Sequence, residues 1–379
     1  MNTTHLKRFA GLMPTTFGYG RGVMAGAMEY LGGHPDVEML WFQQEYPPVE
    51  MLREWRADGI LGSFSSRLPV EPYLSLGIPI LNVSSAPQVA PVINVRTDQD
   101  AVGRLAAEHL KAKGVNEFAY LGMKGPRFSK DRGTAFSAHL PGVNVHEYAL
   151  PPSMWTWLDL LHDWVAQLPK PCGVFCAGDN EARVLLSVCR TSGIAVPEQL
   201  VVLGANNEED LCMACTPALS SIPARFRLIG ATAMELLVQR VEFPQRKFED
   251  QLIAPLPPIQ RASTDVRHLL EDPAITDILR YIRAHIHENI GVDQVASRYP
   301  GSRRTFEIRF KKLLGRTPLA EIHAVRLERI QQLLRDTELP LADIAEKSGI
   351  ATVNHLCAFF KKHQGESPGQ YRAHARLDH

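Results

Sequence analysis

Two stretches near the C-terminus repeat one arrangement of side chains able to hydrogen-bond and carry charge. In the first, Ser302 precedes Arg303, Arg304, Glu307, Arg309, Lys311 and Lys312; in the second, Thr352 precedes Asn354, His355 and Lys361. A guanidinium can donate twice to guanine, a carboxylate can accept from cytosine N4, and a side-chain amide can pair with adenine. Lysines at the far end of such a segment suit phosphate oxygens. Arg303, Arg304 and Glu307 are therefore the expected base readers of the first stretch, with Arg309 beside them and Lys311 and Lys312 on phosphates. Thr352, Asn354, His355 and Lys361 are the outward candidates of the second. His355 reads equally well as a surface or capping histidine.

The distribution of charge fits this chemistry. The chain of 379 residues has no net charge, yet residues 265–379 hold 18 Lys and Arg against 15 Asp and Glu, leaving 23 against 26 elsewhere. Seven basic residues and one acid, Glu307, lie between Arg298 and Arg316. A charge run by itself is more often a solvated helix face; in a DNA-reading context it is a footprint for phosphate.

Each stretch needs a helix to present it. Residues 292–315 and 341–365 both read as a short apolar helix containing an alanine (Ala296, Ala345), a tight turn, and a second helix ending in Phe-Lys-Lys. This is a helix-turn-helix pattern in tandem, with the second helix of each sized for a major groove. The expected helices of the first unit are 294–297 and 302–314, the latter capped by Ser302. Phe306, Phe310, Leu313 and Leu314 recur at helical spacing and point to a core. In the second unit 341–347 is the supporting helix, Gly349 supplies the turn, and 352–363 is the reading helix with Leu356, Phe359 and Phe360 inward. Residues 319–335 form an amphipathic connector spanning ~25 Å at 1.5 Å per residue. Adjacent major grooves recur every ~34 Å, so this connector and its turns can place both readers on one DNA face. A helical region begins near Pro273, a favourable first-turn residue.

The first ~260 residues alternate short apolar runs with amphipathic stretches, the pattern of a parallel sheet with helices on both faces. Strands are expected at 9–13, 37–42, 59–63, 78–83, 92–95, 117–122, 143–148, 173–176, 200–204 and 219–222. Helices are expected at 21–31, 49–57, 99–113, 131–140, 155–168, 179–192 and 226–240. So many strands suit two lobes better than one sheet. Pro255-Leu256-Pro257-Pro258 and residues 261–272 read as the last crossover and a linker. Ligands of parallel α/β sheets sit outside the carboxyl ends of the strands. Arg132, Asp179 and Asn206 all follow predicted strands there. A guanidinium, a carboxylate and an amide suit sugar hydroxyls, and Phe128 or Trp155 can stack on a pyranose face. Two plainer readings stand beside this: Asp179 as a cap of the helix that follows it, and Arg132 as a surface ion pair.

Several classes are excluded. There is no GxSxG, no P-loop and no GxGxxG opening a helix; Gly18-Tyr19-Gly20-Arg21-Gly22 lacks the P-loop lysine. The six cysteines include one lone CxxC, Cys212 to Cys215, and read as buried reduced thiols rather than a metal or redox site. No cofactor or metal is expected. No run reaches the ~18 apolar residues of a membrane span. No leader is visible at the start, so a cytoplasmic location is expected.

Residues 275–376 resemble the AraC-family DNA-binding domain. The resemblance rests on Ser302, Phe306, Arg309, Phe310, Gly315, Arg326-Leu327, Leu333-Leu334, Ile344-Ala345, Gly349, Phe360-Lys361-Lys362, Gly365, Ser367-Pro368 and Tyr371-Arg372. Tyr299-Pro300-Gly301 departs from that family's usual glycine-aliphatic turn. Residues 1–264 resemble the LacI/GalR-type periplasmic-binding-protein fold, through Tyr19-Gly20-Arg21, Asp58-Gly59-Ile60-Leu61, Asp98, Phe128 to Gly133, Ala177-Gly178-Asp179 and Gly204 to Asn207. Residues 265–274 would be the linker. The order of the two is that of the xylose-operon regulator type within the AraC family.

The resemblance implies a two-lobed α/β sensor domain of the type I periplasmic-binding-protein class, followed by an all-α domain with two helix-turn-helix motifs. It implies ligand-binding roles for Arg132, Asp179 and Asn206, although the family usually has an aspartate at the position of Asn206, and it adds Tyr19 and Arg21 to the set. The expected function is a transcriptional regulator, an activator of sugar catabolism genes controlled by xylose or a related pentose. Its expected partners are double-stranded operator DNA, the sugar, a second copy of the chain and, for an activator, RNA polymerase; no membrane is expected. A sugar-binding α/β enzyme and a DNA-binding protein without an effector are the alternatives.

Overall fold

The computed structural model describes residues 6–43, 45–65, 68–88, 91–266, 272–314 and 316–377. The chain divides into two units, Met1–Asp265 and Val266–His379.

The first unit contains two sheets in which every strand pair is parallel. Along the chain run β1 (Lys7–Leu12), α1 (Gly18–Leu31), β2 (Val37–Phe42), α2 (Val49–Glu54), β3 (Gly59–Gly62), α3 (Glu71–Leu74), β4 (Ile80–Asn82) and β5 (Ile93–Thr97). They are followed by α4 (Gln99–Lys111), β6 (Glu117–Met123), α5 (Arg127–Ala138), β7 (Val145–Leu150), α6 (Trp157–Gln167), β8 (Cys172–Cys176) and α7 (Asp179–Thr191). The unit closes with β9 (Leu200–Asn206), α8 (Glu209–Ala214), β10 (Ser220–Pro223), α9 (Phe226–Glu242) and β11 (Gln251–Ile253).

The sheet orders are β2-β1-β3-β4-β5-β11 and β7-β6-β8-β9-β10. Each is a doubly wound arrangement whose strand order reverses once, between β1 and β3 and between β6 and β8. Such switch points open a crevice at the carboxyl ends of the strands. The pleat explains why each sheet is covered twice. Phe9 and Met13 face α1 and α9, while Ala10 and Leu12 pack with Leu52 and Tyr73 on the opposite side. In the second sheet Leu121, Val174 and Cys176 meet Trp157, Leu161 and Leu185. α4 follows a strand of the first sheet but packs on α5 and on β8 to β10 of the second, and α9 crosses back to α1. The chain therefore passes between the lobes just before α4, just before α9 and after β11.

The second unit is helical: α10 (Pro273–Ala284), α11 (Val292–Ala296), α12 (Arg303–Leu314), α13 (Pro318–Asp336), α14 (Leu341–Lys347), α15 (Val353–Gln364) and α16 (Pro368–Leu377). It has two cores. Ile275, Ile278, Ile282, Val295, Phe306 and Phe310 form one, and Ile344, Ala345, Leu356 and Phe360 the other. α13 feeds both: Ile322 and Val325 enter the first, Ile330, Leu333 and Leu334 the second. Its 19 residues make a rod of ~28 Å.

Several expectations need correction. α5 starts at Arg127 rather than 131, and residues 261–264, expected as linker, pack on β9 and β10, where Ser263 and Thr264 are fully buried. β11 lies just before the stretch read as crossover and linker; it is three residues long and mostly exposed, so it shows no apolar pattern. α11 starts at Val292 rather than 294, because Gly291 and Gln294 close a hydrogen bond at its start (2.9 Å). Thr352, expected as the first residue of its helix, stands outside α15 as its cap, accepting from the His355 amide (3.2 Å), as Ser302 does from the Thr305 amide (3.1 Å), where a cap was expected.

Candidate functional site

In the first unit the crevice is bordered by the starts of α1, α5 and α7 and by the loop after β9. Two contacts bridge the lobes there. Glu208, beside α8, accepts from the Gly18 amide at the start of α1 (3.1 Å) and pairs with Arg21 (3.3 Å). Gln99, at the start of α4, donates to Ser85 (3.4 Å) and accepts from Arg132 Nε (2.7 Å).

Arg132 is only 2% exposed, which removes the surface ion-pair reading. A second guanidinium nitrogen donates to the Ala177 carbonyl, and the group lies 5.2 Å from the centre of the Phe128 ring. Burial lowers its pKa, against the neighbouring Tyr120, Asp179 and Glu181. Asp179 is buried too, but it does not cap α7, whose capping residue is Gly178 without a side-chain bond. Its two oxygens accept from the Glu208 amide (2.8 Å) and the Ser221 hydroxyl (2.5 Å). Burial pushes its carboxyl up to about 7, against those two hydrogen bonds, which favour the ionised form. Asp179 thus anchors the loop that carries Asn206 and Glu208.

Asn206 and Asn207 have φ of 107° and 53°, the region asparagine tolerates better than most side chains. Asn206 Oδ1 is buried and has no hydrogen-bond partner among the described residues. Tyr19 is turned elsewhere: its hydroxyl donates to the Val83 carbonyl (2.5 Å), and its ring meets Phe226 edge-on. The side chain of Trp155 lies outside the described residues. The structure therefore links Arg21, Phe128, Arg132, Asp179 and Asn206 in one neighbourhood and sets Tyr19 into the wall behind it.

Sequence reasoning missed Gln99, Glu181 and Glu208. Gln99 directly follows Asp98, which caps α4, and Glu208 follows the Asn-Asn turn; both adjacencies were visible. Glu181 lies in the first turn of α7, is buried, and has its carboxyl raised by that burial.

In the second unit the seven basic residues between Arg298 and Arg316 divide by role. Arg298 stacks on Tyr281 (3.6 Å to the ring centre). Arg303 pairs with Glu307 (2.9 Å) and with Asp293 of α11. Arg309 pairs with Asp272 (2.6 Å), the residue that also caps α10. Arg316 pairs with the buried Glu321. Arg304, Lys311 and Lys312 are exposed. So are Thr352, Asn354, His355 and Lys361 on and before α15. Phe306 and Phe310, like Leu356 and Phe360, are fully buried, so these polar residues occupy the outward sides of α12 and α15. Ile308, 61% exposed, lies one helical turn from Arg304 and suits contact with a thymine methyl. A periodicity reading assigns it to no core position, and that mismatch was its signal.

Residues 107–264 match the family model of the periplasmic binding protein-like domain, and residues 295–374 that of a helix-turn-helix domain. The xylose operon regulatory protein of Escherichia coli (strain K12) is 32% identical over 368 residues, covering 93% of this chain and 94% of that protein. Its counterpart in Haemophilus influenzae is 29% identical over 375 residues, covering 93% and 95%. A solved structure of a xylose-binding transcription activator, xylR, is 32% identical, covers 97% of each chain and has a TM-score of 0.61. Fold, site and matches together define the class: a DNA-binding transcription regulator with a periplasmic-binding-protein-like sensor, not an enzyme. The similarity to the Escherichia coli relative spans both units. The chain belongs to the family of xylose operon regulatory proteins.

Proposed function

We propose that this regulator is an activator of sugar catabolism genes whose effector is xylose or a related pentose, held between the lobes of the first unit. Asn206 Oδ1 carries the reading: a buried acceptor without a partner among the described residues costs free energy unless a ligand donates to it. Arg132 and Glu181 supply further polar groups, Phe128 stacks on the ring, and Asp179 holds the loop that positions Asn206. Arg21 acts from the rim, through Glu208, and Tyr19 supports the wall. The sugar changes DNA binding by favouring one arrangement of the lobes, which requires different affinities for the two arrangements. The active form is a cytoplasmic homodimer on operator DNA that engages RNA polymerase. Arg304, Lys311 and Lys312 serve the first groove, with Glu307 and Arg303 paired beside them, Arg309 braced by Asp272 and Ser302 capping their helix; Thr352, Asn354, His355 and Lys361 serve the second.

The test is thermal melting of the full chain with D-xylose, L-arabinose and D-ribose, followed by DNA binding with and without the stabilising sugar. A ligand at a hundred times its Kd stabilises by about 2.7 kcal/mol. Asn206→Gly, which removes the amide yet adopts a φ of 107° without strain, should abolish that shift while leaving the unliganded melting temperature near that of the parent. If no sugar raises the melting temperature or alters DNA binding, the effector reading is wrong.

A further inference from the structure

The two reading helices are joined by α13, and a single helix fixes their separation but not the way each half leans on it. A buried arginine midway along α13 supplies what is missing. Arg326 is only 8% exposed. Its Nε donates to the Ser348 carbonyl (3.0 Å), in the turn between α14 and α15. Its Nη2 donates to the Glu288 carbonyl (3.4 Å), in the loop between α10 and α11. One guanidinium thus holds backbone from both halves.

A second contact closes the same junction without any side chain. Gly349 has φ of +66°, and a Cβ built there would lie 2.1 Å from the Glu288 carbonyl oxygen and 2.7 Å from that of Ile286. The turn of the second half and the loop of the first touch backbone to backbone. Thr352, the cap of α15, lies three residues beyond Gly349, and α11 begins four residues beyond Glu288.

We propose that Arg326 and Gly349 form a clamp that fixes α12 and α15 in one relative placement, so that the separation of the two DNA half-sites is itself read by this unit. The guanidinium is bound by carbonyls alone, with no ion pair to a carboxylate among the described residues, and burial lowers its pKa. Burying a charge in this way is costly, and registry is the best-attested return for that cost. The two grooves are a helical turn apart, and one inserted base pair rotates the second site away from a rigidly held α15. Arg326 is a positioning residue: it touches no base.

The test is selection of full-length protein on randomised duplex DNA, comparing the parent with Arg326→Met and Gly349→Ala. Within the site of each subunit the parent should recover two sequence blocks at one fixed separation, and a base pair inserted between those two blocks should weaken binding about tenfold or more, comparable to the loss of one specific base contact. Each variant should recover the same two blocks at several separations, with the insertion penalty reduced to threefold or less. Melting curves establish that the helical unit is still folded. Gly349→Ala leaves Arg326 intact, and so decides the matter if Arg326→Met fails to fold. The proposal is overturned if the parent accepts several separations, or if the folded variants keep the single spacing and the full penalty.

Discussion

The two halves of the DNA-binding unit align at an offset of fifty residues: Ser302 with Thr352, Arg304 with Asn354, Phe306 with Leu356, Phe310 with Phe360, and Lys311 with Lys361. What is shared holds the helix in place, a hydroxyl cap and two buried apolar residues a turn apart. What differs is how the remaining side chains are used. In the first half Arg303 is tied to Asp293 and Glu307, and Arg309 to Asp272. At the position of Arg309 the second half has Phe359, which packs edge-on against His323 and tilted against His363. The first half is therefore braced by ion pairs and the second by rings. A run of seven basic residues does not amount to seven charges on offer to DNA, since four of them are used inside the protein.

The largest effect should come from the two cores. Phe306→Ala and Phe360→Ala each remove a fully buried ring, at a cost of roughly 3–5 kcal/mol. Because the cores are distinct, hydrogen exchange should show Phe306→Ala loosening α11 and α12 more than α14 and α15, and Phe360→Ala the reverse. Equal loss of protection in both halves would mean that they form one cooperative body. Next is the reading itself. Arg304→Ala should weaken specific binding by about 1–3 kcal/mol, the scale of one bidentate base contact, and Asn354→Ala by less. Binding assays on the selected operator, in which Asn354→Ala proves the more damaging, would reverse the ranking of the halves.

Freeing a braced cation should act in the opposite direction. Asp293→Asn releases Arg303 from one of its two acids, so non-specific DNA binding at low salt should tighten a few-fold, with a salt slope steeper by up to about one unit. An unchanged slope would show that Arg303 does not reach phosphate. The smallest difference is in pH. His323 is held below its ordinary value of 6.5 by burial first and then by His363, Arg326 and Lys362. A histidine depressed in the folded state contributes stability above the unfolded value that is lost as pH falls. Burial alone would raise Asp272, but the Arg309 hydrogen bond and the Ile275 amide outweigh it and leave its carboxyl lowered. That contribution is present above the ordinary carboxylate value of 3.8 and is lost only in stronger acid. Hydrogen exchange across pH 7 to 5 should therefore show α15 loosening before α12, and His323→Leu should remove the difference.

Legibility in the sequence followed the range of the interactions. Ser302 was readable as a cap because a cap bonds to an amide three residues away; Thr352 does the same for α15, though its type alone had suggested an outward reader. Phe306, Phe310, Leu356 and Phe360 were readable as core from periodicity alone. The strand and helix pattern of the first unit was readable for the same reason, except for β11, which is too short and exposed to carry a pattern, and the short helices α3 and α8, which span too few residues to show a period. The residues around the crevice were partly legible: Arg132, Asp179 and Asn206 stood out by type and by position after strands. Their actual partners did not, since Gln99 lies 33 residues from Arg132 and Ser221 lies 42 from Asp179.

By itself the sequence determined the elements, the division into an α/β unit and a helical unit, and the tandem helix-turn-helix, all of which depend on apolar spacing and local capping. Tertiary structure alone decided which charges are free and which are structural. Asp272 meets Arg309 from 37 residues away, and the Glu288 backbone carbonyl meets Arg326 from 38. A side chain's partner depends on how distant segments pack, and a charge that finds a buried or fixed partner no longer serves the solvent face its sequence neighbours suggest.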